Sequence, residues 1–261
     1  MRSPLRYPGG KTRARSIIVP ELLRQGCSTL ISPFFGGGSV ELAFLEQKKG
    51  SRVIGYDLYE PLVSFWSHLM TNPQGLSTLV KMHFPCERDT FYSLQSNLGE
   101  MSGIEQAAAF YVVNRCSFSG ATNSGGMSPG HPRFTQSSID RINQFRAKNL
   151  SVSCLDSIEM LEVLASESPE GKVIYLDPPY DLKNPRLYGD NGSTHVGFNH
   201  QRLCAAFRVL DGLGWKMIMS YSLTGSIVEL YEGFDIRPAS WSYCMRQGNS
   251  GEVLIKSRGW K

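Results

Sequence analysis

The stretch Val173-Ile174-Tyr175-Leu176-Asp177-Pro178-Pro179-Tyr180 decides the fold. Its opening run is apolar and partly β-branched, as in a strand buried on both faces of a parallel sheet. Pro178 and Pro179 have no N–H to give to a ladder, so the strand must stop there. Open parallel sheets bind ligands beyond the carboxyl ends of their strands, where Asp177 and Tyr180 would stand. The groups suit a planar ring that carries an exocyclic amine. The Asp177 carboxylate and a carbonyl at the extended proline corner can accept the two amine hydrogens, and Tyr180 can stack on the ring. Acceptors on both hydrogens favour a pyramidal, reactive nitrogen, which stabilises charge where it develops. A plain strand with a Pro-rich turn and a core tyrosine fits the same stretch, so the rest of the chain has to decide.

The 261 residues, 41% hydrophobic and 19% charged, suit a soluble chain with one large α/β domain and an inserted subdomain. A net charge of +4 permits an anionic partner without requiring one. No stretch approaches the ~20 apolar residues of a membrane span. The basic amino terminus lacks the apolar core of a secretory leader. The six cysteines are dispersed with no Cys-x-x-Cys pair, which points to reduced thiols, a cytoplasmic location and no metal site.

Around the deciding strand the chain alternates strands and helices. Residues 29–32 form a strand that runs into Pro33-Phe34-Phe35-Gly36-Gly37-Gly38-Ser39, with a helix over 40–47. Strand, glycine turn and helix open a nucleotide-binding unit, but the last glycine of the dinucleotide fingerprint would fall on Glu41. A ligand with a different tail than NAD fits better. The next strand, 52–56, ends in Asp57, where an acid accepts from ribose hydroxyls or simply caps the helix from Pro61. Upstream, Gly10-Lys11-Thr12 resembles the end of a phosphate loop, but Leu5 stands where that motif needs glycine. A tight turn before a helix over 12–23 remains.

Over residues 71–150 the alternation lapses into helical patterns and a long polar stretch, 117–132. Residues 111–150 carry Arg115, Arg133, Arg141, Arg146 and Lys148 against the single acid Asp140, a local basic surface suited to phosphates. Alternation then resumes with the strand 150–154 running to Asp156, the deciding strand, a polar loop over 181–197, a strand over 216–220 and a closing hairpin. The expected fold is α/β, a doubly wound, mostly parallel Rossmann-like sheet with a carboxyl-terminal β-hairpin. Residues 1–70 and 151–261 form the catalytic domain in this reading, and 71–150 an inserted, mainly helical subdomain.

Taken together, the motifs resemble the DNA-adenine-methylase (Dam) family. The segments concerned are Arg6-Tyr7-Pro8-Gly9-Gly10-Lys11, the glycine turn, Asp57, Asn114-Arg115-Cys116-Ser117-Phe118-Ser119-Gly120, Asp177-Pro178-Pro179-Tyr180 and Phe198-Asn199-His200. The joint order is far more specific than any one motif. The resemblance implies methyl transfer from S-adenosylmethionine to the N6-amine of a flipped adenine in a specific double-stranded DNA sequence. It implies catalysis by Asp177, Pro178, Pro179 and Tyr180, with Tyr7, Lys11, Phe34, Gly36, Gly38, Asp57, Asp156 and Asp177 around the cofactor. It also implies Phe118 as a wedge, with Arg115, Asn123 and Arg133 on DNA. A cognate restriction endonuclease is compatible with it, and the oligomeric state stays open. Cys116 stands where the family has an aromatic residue, and a GATC target does not carry over. Cytosine-N4 or RNA methylation, an NAD-linked oxidoreductase and a non-catalytic DNA-binding module are the rival readings.

Overall fold

A computed structural model describes residues 1–7, 9–128, 130, 133–180, 197–239 and 251–261. The expected loop over 181–197 therefore lies almost wholly outside the described residues, as do most of the closing hairpin's turn and its first strand beyond residue 239.

Among the described residues, seven strands form one sheet in the order β3-β2-β1-β4-β5-β7-β6. β1 (Thr29–Ser32), β2 (Arg52–Asp57), β3 (Leu150–Cys154), β4 (Lys172–Leu176) and β5 (Met217–Ser222) run parallel. β7 (Glu252–Lys256) lies antiparallel between β5 and β6 (Asp235–Ala239). Pro238 is tolerated in β6 because that strand is the sheet's edge. The doubly wound, mostly parallel sheet and the closing hairpin are as the sequence predicts.

The alternation of side chains explains why β4 is apolar throughout. Val173 and Tyr175 join a core on one face with Leu30, Val53 and Ile218, while Ile174 and Leu176 join a core on the other with Ile31, Met217 and Met219. The second face is covered by α8 (Ser157–Leu164), α9 (His200–Gly212) and α10 (Gly225–Leu230). The first is covered by α1 (Arg15–Arg24), α2 (Ser39–Gln47) and α3 (Glu60–Thr71). α4 (Pro73–Met82), α5 (Arg88–Asn97), α6 (Gly103–Cys116) and α7 (Gln136–Asn143) extend that same core instead of enclosing one of their own. α6 lies along α3, with Phe65 stacked on Tyr111 at 5.3 Å and 11° and tilted against Phe110. Among the described residues, no helix is long and apolar enough to cross a membrane.

Two elements depart from the sequence reading. α1 begins at Arg15, three residues later than expected, because Lys11 to Ala14 turn to bring Lys11 inward. α7 lies beyond the polar stretch, is itself mostly polar, and is defined by a capping box, in which Thr135 and Ser138 exchange side-chain and backbone hydrogen bonds.

Gly55, in the middle of β2, is a requirement of packing. A Cβ there would stand 2.3 Å from Phe35, whose ring is held edge-on by Trp66 at 5.2 Å. Gly55→Ala is expected to cost about 1–3 kcal/mol of folding stability, read as a lowered urea midpoint with an unchanged m-value.

Candidate active site

β1 and β4 are neighbours in the sheet, yet the chain leaves them in opposite directions, towards β2 and towards β5. That reversal opens a crevice at their carboxyl ends. The glycine turn follows β1 and the Asp-Pro-Pro-Tyr corner follows β4, so both border it.

The glycine turn is shaped by rings. Gly36 and Gly38 have φ of 49° and 63°, and a Cβ on Gly36 would meet the Tyr7 ring at 2.9 Å. The Trp66 indole N–H donates to the Gly36 carbonyl at 3.0 Å. The Asp57 carboxylate accepts from the Gly36 N–H at 2.9 Å and from the Tyr59 N–H at 3.0 Å, tying the end of β2 to the turn. Burial pushes the Asp57 pKa up, against the opposing pull of these backbone donors. A carboxylate has about four lone-pair sites, so Asp57 keeps acceptor capacity for hydroxyls in the crevice. Phe34 is half-buried at its lip. Asp156 caps α8, its Oδ1 accepting from Ile158 N–H and Glu159 N–H, both at 2.9 Å.

At the other corner Lys11, only 4% exposed, places Nζ 2.7 Å from Asp177 Oδ1 and 4.8 Å from the centre of the Tyr180 ring. Tyr180 stacks on Tyr221 at 5.8 Å and 18°. The Tyr221 hydroxyl is hydrogen-bonded to His200 Nδ1, His200 meets Phe198 edge-on at 5.1 Å, and Phe198 meets Phe34 at 5.8 Å. An aromatic wall thus runs from one corner to the other. The sequence reading places His200 in a motif without giving it a role and does not single out Tyr221. Only the parallel placement of β5 and α9 beside β4 brings them in.

Glu41 was also missed. It lies in the first turn of α2, fully buried, and accepts from Ser32 Oγ at 2.7 Å. Burial raises its pKa to about 7; the Ser32 bond opposes this, and the Asp177 charge adds to it.

The segment after α6 presents a different surface. Phe118 is 61% exposed, and Ser119 and Thr122 hold φ of 55° and 48°, uncommon for non-glycine residues. Arg133 is exposed and Asn123 half-buried. Arg115 corrects an expectation. It is 8% exposed and spends its guanidinium on the Arg133 carbonyl (Nε at 2.9 Å) and the Pro4 carbonyl (Nη1 at 3.3 Å), not on a surface. Burial lowers its pKa, and Arg141, Arg6 and Arg133 lower it further, so these arginines form one positively charged cluster. Asn114, fully buried, holds the Arg6 backbone from both sides, accepting from its N–H at 3.0 Å and donating to its carbonyl at 2.7 Å.

The family model for D12 class N6 adenine-specific DNA methyltransferases matches residues 7–245, which spans both corners and the segment between them. The chain belongs to this family. It is therefore an adenine-specific DNA methyltransferase, an enzyme that needs a methyl donor and acts on DNA. The Type II methyltransferase M1.LlaDCHI of Lactococcus lactis subsp. cremoris is 26% identical over 99% of this chain and 96% of its own length. The DNA N-6-adenine-methyltransferase of Escherichia phage P1 is also 26% identical, over 91% of this chain, which spans only 32% of that phage protein. Among solved structures, precorrin-8w decarboxylase from Methanobacterium thermoautotrophicum aligns over 98% of this chain and 95% of its own. Its identity is 12% and its TM-score 0.39, a likeness too loose to carry an argument.

The methyltransferase holds Glu41 with a pKa of about 7 against an ordinary 4.5. The folded chain therefore keeps a proton that the unfolded chain releases between those values. Stability from this group is greatest below pH 4.5 and falls as pH rises to 7, by an amount on the order of 3 kcal/mol. Glu41→Gln should remove that loss, so that the denaturation midpoint above pH 7 rises relative to wild type and its decline from acid to neutral pH flattens.

Proposed function

We propose that the methyltransferase draws its target adenine out of duplex DNA into the crevice between the two corners and uses S-adenosylmethionine as donor. The observation that carries this reading is the Asp177 corner and the glycine turn standing at adjacent, parallel strand ends with one aromatic wall between them. When bound, S-adenosylmethionine supplies an electrophilic sulfonium methyl and leaves as a thioether. The residues present fit it. Asp57 offers acceptors to ribose hydroxyls, Tyr7 and Phe34 offer ring faces, and Gly36 and Gly38 keep the turn low. Lys11 on Asp177, and Asp156 beside Ser157, whose hydroxyl donates to the Pro33 carbonyl ahead of the glycine turn, would border the donor.

At the other corner Asp177 accepts from one amine hydrogen and a carbonyl of the Asp177-Pro178 corner from the other, pulling the nitrogen's lone pair out of conjugation. Pro178 and Pro179 hold that corner rigid, and Tyr180 stacks on the extruded ring. With its lone pair freed at this corner the target nitrogen would be the group that accepts the methyl, and Asp177 would take up the proton that the methylated amine releases. The positive amine is acidic enough that a strong base is unnecessary.

Residues 71–150 make the target-recognition unit in this reading, and 1–70 with 151–261 the catalytic unit. Exposed Phe118 is the wedge, while Arg133 and Asn123 face phosphate or bases. Arg6 joins them from the cofactor side, with its Nη1 donating to Ser117 O at 3.2 Å. Positive φ at Ser119 and Thr122 supports a functional segment, since such strain persists where surrounding structure enforces it.

Asp177→Ala should lower tritium transfer from labelled donor to DNA by about a thousandfold or more while circular dichroism is unchanged; activity near wild type would refute the assignment. Phe118→Ala should leave the melting temperature in place, because the ring is exposed. It should weaken binding to duplex DNA by roughly 1–3 kcal/mol, and a target opposite an abasic site should restore most of that loss.

A further inference from the structure

Three donors converge on a single oxygen of the Asp177 carboxylate. Lys11 Nζ reaches Oδ1 at 2.7 Å, Ser220 Oγ at 2.8 Å and the Tyr180 hydroxyl at 3.4 Å. A carboxylate oxygen accepts about two hydrogen bonds, so Oδ1 is saturated by the protein and Oδ2 is the oxygen left to accept from a ligand. Behind Ser220 stands a second hydroxyl. Tyr175, buried within β4, has its oxygen 3.0 Å from Ser220 Oγ. The direction of this relay follows from chemistry. Asp177 can only accept and lies 2.8 Å from Ser220 Oγ, closer than the Leu176 carbonyl at 3.4 Å, so the Ser220 proton goes to the carboxylate and its oxygen is left as an acceptor for the Tyr175 hydroxyl. Strand register builds the arrangement, because Ser220 comes one step beyond the last registered pair of β4 and β5, Leu176↔Met219, and so lies beside Asp177. Tyr175 and Ile218, the preceding pair on that same face, belong to the hydrophobic core. Ser220 is fully buried, and a hydroxyl in that position is costly unless it has a polar partner.

We infer that Ser220, oriented by Tyr175, is the positioning residue that locks the Asp177 carboxylate with Oδ1 against the protein and Oδ2 towards the target amine. This rests on the proposed role of Asp177. A loosened carboxylate still binds DNA and donor but meets the amine out of alignment, so the defect belongs to the chemical step.

Single-turnover methyl transfer and separate binding measurements test it. Ser220→Ala should slow transfer about 10- to 100-fold while the Kd values for duplex DNA and S-adenosylmethionine stay within about threefold. Ser220→Thr, which keeps the hydroxyl, should recover most of the rate. Tyr175→Phe should give a smaller loss, and the double variant should be no slower than Ser220→Ala alone if the orienting effect of Tyr175 on Asp177 runs through Ser220. Asp177→Asn should be as slow as Asp177→Ala. Lys11 and Ser220 draw the amide oxygen to the Oδ1 position and turn the NH2 group towards the amine. A wild-type rate in Ser220→Ala, or a substantial rate in Asp177→Asn, overturns the inference. If Ser220→Ala fails to fold, the isosteric Tyr175→Phe decides, and a wild-type rate there sinks the relay. A fully active Asp177→Ala would instead sink the functional reading itself, whereas an inactive Asp177→Ala beside a fully active Ser220→Ala sinks only this inference.

Discussion

β1 and β4 pair in parallel, Ile31 opposite Ile174, and the rest of the site depends on that contact. It aligns the carboxyl ends of two strands that are far apart in sequence. The chain departs from them to opposite sides of the sheet, which opens a crevice between their turns. Lys11 then enters from the amino terminus and puts a buried ammonium on the Asp177 carboxylate. A buried pair of this kind gives little net stability, but either charge alone would be costly, so each holds the other in place.

The stretch from Pro4 to Lys11 is short, yet it touches every functional segment. Its start accepts from Arg115, and its Arg6 backbone is held by Asn114. The Tyr7 ring lies on the glycine turn, and Lys11 ends at the Asp177 corner. The segment after α6, the glycine turn and the acid are thus built around one piece of backbone. Arg115 is enlisted for this internal work, whereas Arg133 and Arg141, whose charges act on it, are exposed.

Much of this was legible in the chain. The apolar run into Asp177-Pro178-Pro179 could only be a buried strand that stops, and strand, glycine turn and helix over the second motif had one plausible reading. Local chemistry dictated both, since proline removes a donor and glycine alone admits the close approach of a ring. Charge counting was less reliable. It placed Arg115 on a basic surface, whereas its position on the inner side of α6 turns it to backbone carbonyls. A count of cations carries no information about which of them face water. α7 escaped notice because its pattern is polar and its identity lies in a cap.

The sequence by itself determined the order of elements, the two corners of the crevice and the chemistry each can perform, because these follow from residue types within a few positions of one another. The tertiary structure alone decided which distant groups stand behind them. Ser220, Tyr221 and Glu41 carry no local signature, and the motif that holds His200 does not say what its ring touches. They reach Asp177 or the aromatic wall only because β5, α9 and α2 pack beside β4 and β1, and strand register selects which side chain comes abreast of the acid.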